Sequence, residues 1–351
     1  MRTCAIPALL LSLILVCLPG CGGPSSGLPV ISGGSELPAT DPAYPTDVQV
    51  KYLGAGGVII KRGADVLMTA PFFSNPSIPR VAFGEIRALP EQIDRFLDKP
   101  GNGLAGATAI LVGHAHYDHL MDVPHIKNKY LPQVKVYGSD TMKNTLAGDH
   151  SLNQKDIVSV EKDMGTDQMQ GKWTQASPRI RFMPLKSEHA PIFLHLKFYE
   201  GTYTEPLKEI PTRAGGWREG QTLAYLIDFL SADGKTVEFR VHYQDAASTA
   251  PLGFPPQFNP PDQRRVDVAF VCVPGFNQVE MYPEKIIKRL NPRYVVMIHW
   301  ENFFQLLPDN ASELRLVPTE NAALFIERLT KVIPADAQFM PAPGTWMRFS
   351  P

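Results

Sequence analysis

From Val48 onward, apolar residues come in short bursts broken by Gly, Pro and small polar turns. VQVKYLG, GVIIKRG and ADVLMTA are brief β-type runs separated by Gly and a KRG turn, the pattern that predicts strands. PEQIDRFLD predicts a helix with Pro in its first turn. TAILVG is a short apolar run bounded by small residues, which predicts a buried strand. VKVYG, IVSVEKD and RIRFMPL read as further strands. TLAYLIDFL and VEFRVHYQD flank SADGKT and predict a hairpin. VDVAFVCV and RYVVMIHW are two more buried strands, while PEKIIKRL and TENAALFIERLTKV space their apolar residues near the helical period. No internal repeat is visible. Strands mixed with helices throughout predict layered α/β packing.

Three stretches break this pattern. Residues 200–221 and 246–265 read as long surface loops. In a compact domain such loops are lids over a site or plain insertions. The first twenty residues carry one early Arg and then an apolar run from Ala5 to Leu18, a secretory signal layout too short for a usual membrane span. The run ends Leu18-Pro19-Gly20-Cys21, which resembles the lipobox of bacterial lipoproteins. That resemblance implies a signal peptide over 1–20, a lipid on Cys21 and a protein anchored to a membrane of the bacterial cell envelope, facing the periplasm or the exterior. An ordinary signal peptide or an uncleaved anchor are the alternatives. The Gly-, Pro- and Ser-rich residues 21–46 then read as a flexible tether, and 47–351 as one folded domain.

Charge adds little. Lys plus Arg is 34 against 35 for Asp plus Glu, so the basic footprint of a nucleic-acid binder is missing. With Cys4 and Cys17 in the signal and Cys21 lipidated, Cys272 alone remains. No internal disulfide can then form, and the run VDVAFVCV makes Cys272 a small packed side chain.

The candidate chemistry sits in LVGHAHYDHLMD, residues 111–122. Three of the nine histidines fall in this one turn. Alternate residues of extended chain share a face, so His114 and His116 can point together. Asp118 and His119 follow from the start of the next helix. Neighbouring imidazoles compete for protons and hydrogen bonds, and a divalent cation resolves that competition. Four such residues in six positions point to a metal site.

HAHYDH matches the H-x-H-x-D-H signature, and the chain resembles the metallo-β-lactamase superfamily over roughly 47–350. The resemblance implies an αββα sandwich with metals at the edge between two sheets. It further implies three ligands downstream, each after a strand. RIRFMPLKSEHAP supplies His189, VEFRVHYQDAAS supplies Asp245 and RYVVMIHWENFF supplies His299. By this match His114, His116 and His189 hold one metal. Asp118, His119 and His299 hold the second, and Asp245 is shared. His195 lies in an apolar strand and reads as packing; His242, three residues before Asp245, reads as a non-ligand. Two divalent ions are implied, zinc by default, with manganese or iron fitting nearly as well. A metal-bound hydroxide would attack the substrate, with Asp118 also orienting it or shuttling its proton. One departure stands out. The superfamily carries an early Asp where this chain has Ala70, or Thr69 by another alignment; that Asp orients a ligand rather than binding metal.

HYDHLMD and IHWENFF look like the branch that contains N-acyl-phosphatidylethanolamine phospholipase D and ascorbate-phosphate lactonase. This implies a phosphodiester substrate, small or lipid-like, with a lactone or other ester or amide as the alternative. Arg213 and Trp217 are candidates for the substrate mouth, or for surface decoration. Two other classes stay open: an iron-dependent oxidoreductase, because Glu188 adjoins His189, and a non-catalytic surface lipoprotein with a structural metal.

Overall fold

A computed structural model describes residues 22–34, 46–69, 71–191, 197–258, 262 and 264–351. The expected signal segment, Cys21, Ala70 and His195 lie outside them. The short strand β1 (Val30–Ile31) comes first, followed by β2 (Val48–Gly54), β3 (Gly57–Arg62), β4 (Asp65–Thr69), β5 (Ala107–Leu111), β6 (Lys135–Gly138) and β7 (Ile157–Ser159). The second half supplies β8 (Thr174–Ser177), β9 (Ile180–Lys186), β10 (Leu223–Leu230), β11 (Val237–Tyr243), β12 (Val268–Cys272), β13 (Tyr294–Ile298), β14 (Gln338–Pro341) and β15 (Trp346–Phe349). One sheet has seven strands in the order β15-β2-β3-β4-β5-β6-β7; the other has eight in the order β1-β14-β13-β12-β11-β10-β9-β8.

Both sheets mix modes. β15 through β4 pair antiparallel and β4 through β7 parallel. In the second sheet β8 through β11 pair antiparallel and β11 through β14 parallel. Parallel strands must be covered on both faces. β12, parallel to both neighbours, is buried along its whole length for this reason; the antiparallel β10 is buried throughout as well. The sheets meet face to face, with the Tyr137 ring of one 5.0 Å from the Phe182 ring of the other. The αββα sandwich is the fold.

The helices are short: α1 (Ile78–Phe83), α2 (Pro90–Leu97), α3 (Tyr117–Leu120), α4 (Val123–Lys129), α5 (Asp140–Leu146), α6 (Glu284–Leu290) and α7 (Ala322–Thr330). Among the described residues no helix is long and apolar enough to cross a membrane. Cys272 is buried at the end of β12 with a free thiol.

The tether expectation needs correction over 22–34. Pro24 bridges Arg315, Leu316 N–H donates to Gly23 O at 3.1 Å, and β1 pairs parallel with β14. Gly and Ser content suggested freedom, but this segment's backbone groups find partners on the body. They close an edge of the eight-stranded sheet.

Candidate metal centre

Every residue singled out as a ligand follows a strand or begins the next helix. After β5, Gly113 and His114 lead into α3, whose N-cap is His116. His189 follows β9, Asp245 follows β11 and His299 follows β13. The parallel strands of both sheets end at one edge, so side chains distant in sequence converge there.

Three groups of donors form, each with ligand atoms within 4.8 Å of one another: His114, His116 and His189; His114, His119 and Asp245; Asp118, His119 and His299. Asp245 lies between the other two, with Oδ1 3.2 Å from His114 Nδ1 and Oδ2 3.2 Å from His119 Nδ1. On the far side, His299 Nε2 is 3.2 Å from both Asp118 Oδ2 and His119 Nε2. His189 Nδ1 lies 2.7 Å from Ala190 O. Donating a proton there leaves Nε2 as the lone-pair nitrogen. Glu188 is engaged elsewhere: it accepts from Thr249 N–H at 2.9 Å and sits 3.8 Å from Lys197 Nζ.

The electrostatics suit a cation. Burial pushes His114 down to about 3 and holds His116 and His189 below the usual imidazole range, so these rings carry a lone pair. His119 is also buried, but Asp118 and Asp245 outweigh that and raise it. Burial alone would raise the two carboxyls; His119 and its neighbours hold both well below the carboxylate range. His114 Nε2 and His116 Nε2 are buried without a hydrogen-bond partner. Orphaned buried polar atoms are costly. Ligation by a divalent ion would satisfy them, and a set of imidazoles with two carboxylates is the donor chemistry of zinc and its neighbours.

Several supporting residues had no signal in the sequence. A Cβ at Gly113 would lie 2.1 Å from Asp245 Oδ1, and one at Gly56 would lie 2.7 Å from His119 Nδ1. Only glycine leaves room for the ligands at either place. Gly113 directly precedes the histidine motif, so its need could have been suspected; Gly56 offered no such clue. Thr69 Oγ1 donates to Gly56 O at 2.5 Å and accepts from Val58 N–H at 2.8 Å. Tyr243 Oη donates to the same carbonyl at 2.6 Å and lies 3.3 Å from Asp245 Oδ2. Beside the position of the early Asp, this chain therefore braces the Gly56 turn through hydroxyl groups.

The remaining candidates fall outside the cluster. His242 Nε2 lies 2.8 Å from Gly253 O, so this ring ties β11 to the 246–265 loop. Trp217 is fully buried and lines a cavity of about 500 Å³ with Ile86, Met121, His125 and Thr212; it is wall rather than lip. Arg213 is exposed and donates to Phe83 O at 3.3 Å. The 200–221 loop does reach the site. Ala115 N–H donates to Glu219 O at 2.9 Å, and the Tyr199 ring just before the loop lies 6.1 Å from that of His116.

Residues 81–246 match the family model described as the beta-lactamase superfamily domain. Six of the seven candidate ligands fall within that stretch, and His299 lies beyond it. No curated protein matches the chain. Among solved structures it is similar to Igni18, a metallo hydrolase from the archaeon Ignicoccus hospitalis KIN4/I, at 16% identity and a TM-score of 0.46, covering 87% of this chain and 99% of that one. It is similar to the metallo-beta-lactamase fold protein YhfI from Bacillus subtilis at 13% identity and a TM-score of 0.47, covering 86% and 99%. It is also similar to CmlA, a diiron beta-hydroxylase from Streptomyces venezuelae, at 13% identity and a TM-score of 0.43, covering 88% of this chain and 55% of that one. The sandwich is the metallo-β-lactamase fold, residues 81–246 match its superfamily domain, and the donor set at its edge suits divalent metal ions.

Proposed function

We propose that the chain is a dinuclear metal-dependent hydrolase acting on a phosphodiester, with a lipid-like substrate held near a membrane. The observation that carries the dinuclear reading is the position of Asp245. It contacts His114 on one side and His119 on the other, with His116 and His189 flanking the first and Asp118 and His299 the second. His114, His116 and His189 would hold one ion; Asp118, His119 and His299 the other; Asp245 both. Bound divalent ions would supply Lewis acidity and an activated water at neutral pH.

The protein's own residues do the positioning. Burial keeps most of the imidazoles unprotonated and the neighbouring imidazoles keep the carboxylates charged, so the donors are preorganised for cations. Asp118 is the more exposed of the two carboxylates, at 8% against 1% for Asp245. This suits it to take a proton at its carboxylate as substrate arrives. Zinc is the proposed metal. The hydroxyl-braced Gly56 turn supplies the orientation that the early Asp gives elsewhere.

The phosphodiester rests on the HYDHLMD and IHWENFF resemblance. Support for a membrane location comes from the lipobox-like Leu18-Pro19-Gly20-Cys21 and from the seating of the next residues. Gly23 accepts from Leu316 N–H, and Arg315 O accepts from Asn302 N–H at 2.8 Å. An anchor at Cys21 would thus hold the loop after His299 close to the bilayer, where Leu306 is an exposed apolar residue.

Turnover of bis-p-nitrophenyl phosphate, a lactone and nitrocefin, each with added Zn²⁺ or Mn²⁺, tests the reaction. The phosphodiester should be cleaved, and His116→Ala should lower that rate by at least about a hundredfold, the scale of losing a metal ligand or its support. Preferential lactone turnover would replace the substrate class. No turnover beyond that of His116→Ala would sink the hydrolase reading.

A further inference from the structure

The second ligand triplet depends on a residue in an uncommon backbone state. His299 has φ of +63°, the left-handed region that a bulky side chain rarely adopts. Such a conformation persists only where the surroundings hold it. The holder comes from the opposite sheet. His299 N–H donates to Tyr52 Oη at 2.8 Å, and Tyr52 belongs to β2 of the seven-stranded sheet. Tyr52 Oη in turn donates to Glu301 Oε2 at 2.5 Å, while Glu301 Oε1 accepts from Ala55 N–H at 2.5 Å. Tyr52 is fully buried and Glu301 is 1% exposed. The Phe303 ring packs on His299 with centroids 4.6 Å apart.

We infer that Tyr52 and Glu301 are positioning residues for His299 and set the affinity of the second metal position. The inference rests on the dinuclear reading above. Neither residue is a donor in any of the three ligand groups. Their bonds form a clamp across the metal-bearing edge of the sandwich. Two residues after His299, Glu301 returns to β2 and fixes the turn. Tyr52 satisfies a buried backbone N–H that would otherwise be orphaned. Without that acceptor the turn can relax toward ordinary φ, and the imidazole then leaves its place 3.2 Å from Asp118 and His119. The first triplet is built from other strands and does not depend on the clamp.

The test is Zn²⁺ titration of metal-free protein against a competing chelator, with bound metal counted by elemental analysis. Wild type should take up two ions. Tyr52→Phe and Glu301→Ala should weaken one of them by about tenfold or more, the scale of losing a residue that orients a metal ligand, and leave the other unchanged. Glu301→Gln should keep both. Its amide can accept from Ala55 N–H and donate to Tyr52 Oη, whose own proton then has Ala55 O at 3.3 Å. Tyr282→Phe controls for stability, because its buried hydroxyl donates to Cys272 O at 3.1 Å away from the ligands; it should keep both ions. If Tyr52→Phe binds both ions like wild type, or if it and Tyr282→Phe lose both alike, the positioning role is wrong. A wild type that binds fewer than two ions would instead remove the dinuclear reading beneath it.

Discussion

At the scale of single residues, the site is shaped as much by what is missing as by what is there. Gly113 gives up a side chain so that Asp245 can approach the backbone beside His114. Gly113→Ala should therefore push Asp245 aside and lower metal affinity by at least about tenfold. Chelator competition would show it; unchanged affinity would mean that the turn moves without cost. Asp122 closes the same motif but belongs to none of the ligand groups and bonds Phe73 and Ser74 instead. Its carboxylate accepts from Phe73 N–H at 2.7 Å, Ser74 N–H at 3.0 Å and the Ser74 hydroxyl at 2.5 Å. Burial dominates these bonds and raises it to about 6. A carboxyl raised by folding costs nothing while both states are protonated. As pH rises from about 4 to 6 the unfolded chain ionises first, so stability falls across that window and then levels off. Asp122→Asn should remove this contribution, on the order of 3 kcal/mol, flattening the difference between denaturation curves of metal-free protein at pH 4 and 6. An identical slope in the two proteins would mean that Asp122 does not titrate there.

At the scale of elements, legibility followed the strength of local pattern. The strands β2 through β7, β9 through β13 and the helices α2, α6 and α7 were visible because apolar runs or helical spacing mark a buried face. α1 was not, because none of its residues is buried and no apolar stripe forms. β15 and β1 were missed because they are edge strands whose partners, β2 and β14, lie far along the chain. The same logic divides the site. The four motif residues are adjacent in sequence, and each later candidate ligand follows a visible strand. Tyr52 and Glu301 are 249 residues apart, and nothing local announces that they meet. Composition misread 22–34, where partners on the body override a loop-like sequence. Deleting residues 22–34 should lower the melting temperature, because β1, Ser25 and Gly33 lose partners on β14, Leu314 and Trp346. A melting temperature equal to that of the chain with these residues would restore the tether.

At the scale of the whole molecule, two mixed sheets bring four strand ends to one edge, and that convergence makes a donor set from residues spread between His114 and His299. The fold supplies position and the burial that keeps most of the imidazoles neutral. The anchor proposal belongs to this scale as well. Expression in a bacterial host with a radiolabelled fatty acid should label the chain, and Cys21→Ser should abolish the label; label retained on Cys21→Ser would contradict a lipid there. The central claim is that the seven side chains hold two ions that drive hydrolysis. The most direct measurement is elemental analysis of purified protein, paired with bis-p-nitrophenyl phosphate turnover on the same sample. The account predicts two zinc-type ions per chain and a turnover that chelation removes and metal restores. A chain that binds no divalent ion, or turnover indifferent to chelation, would contradict it.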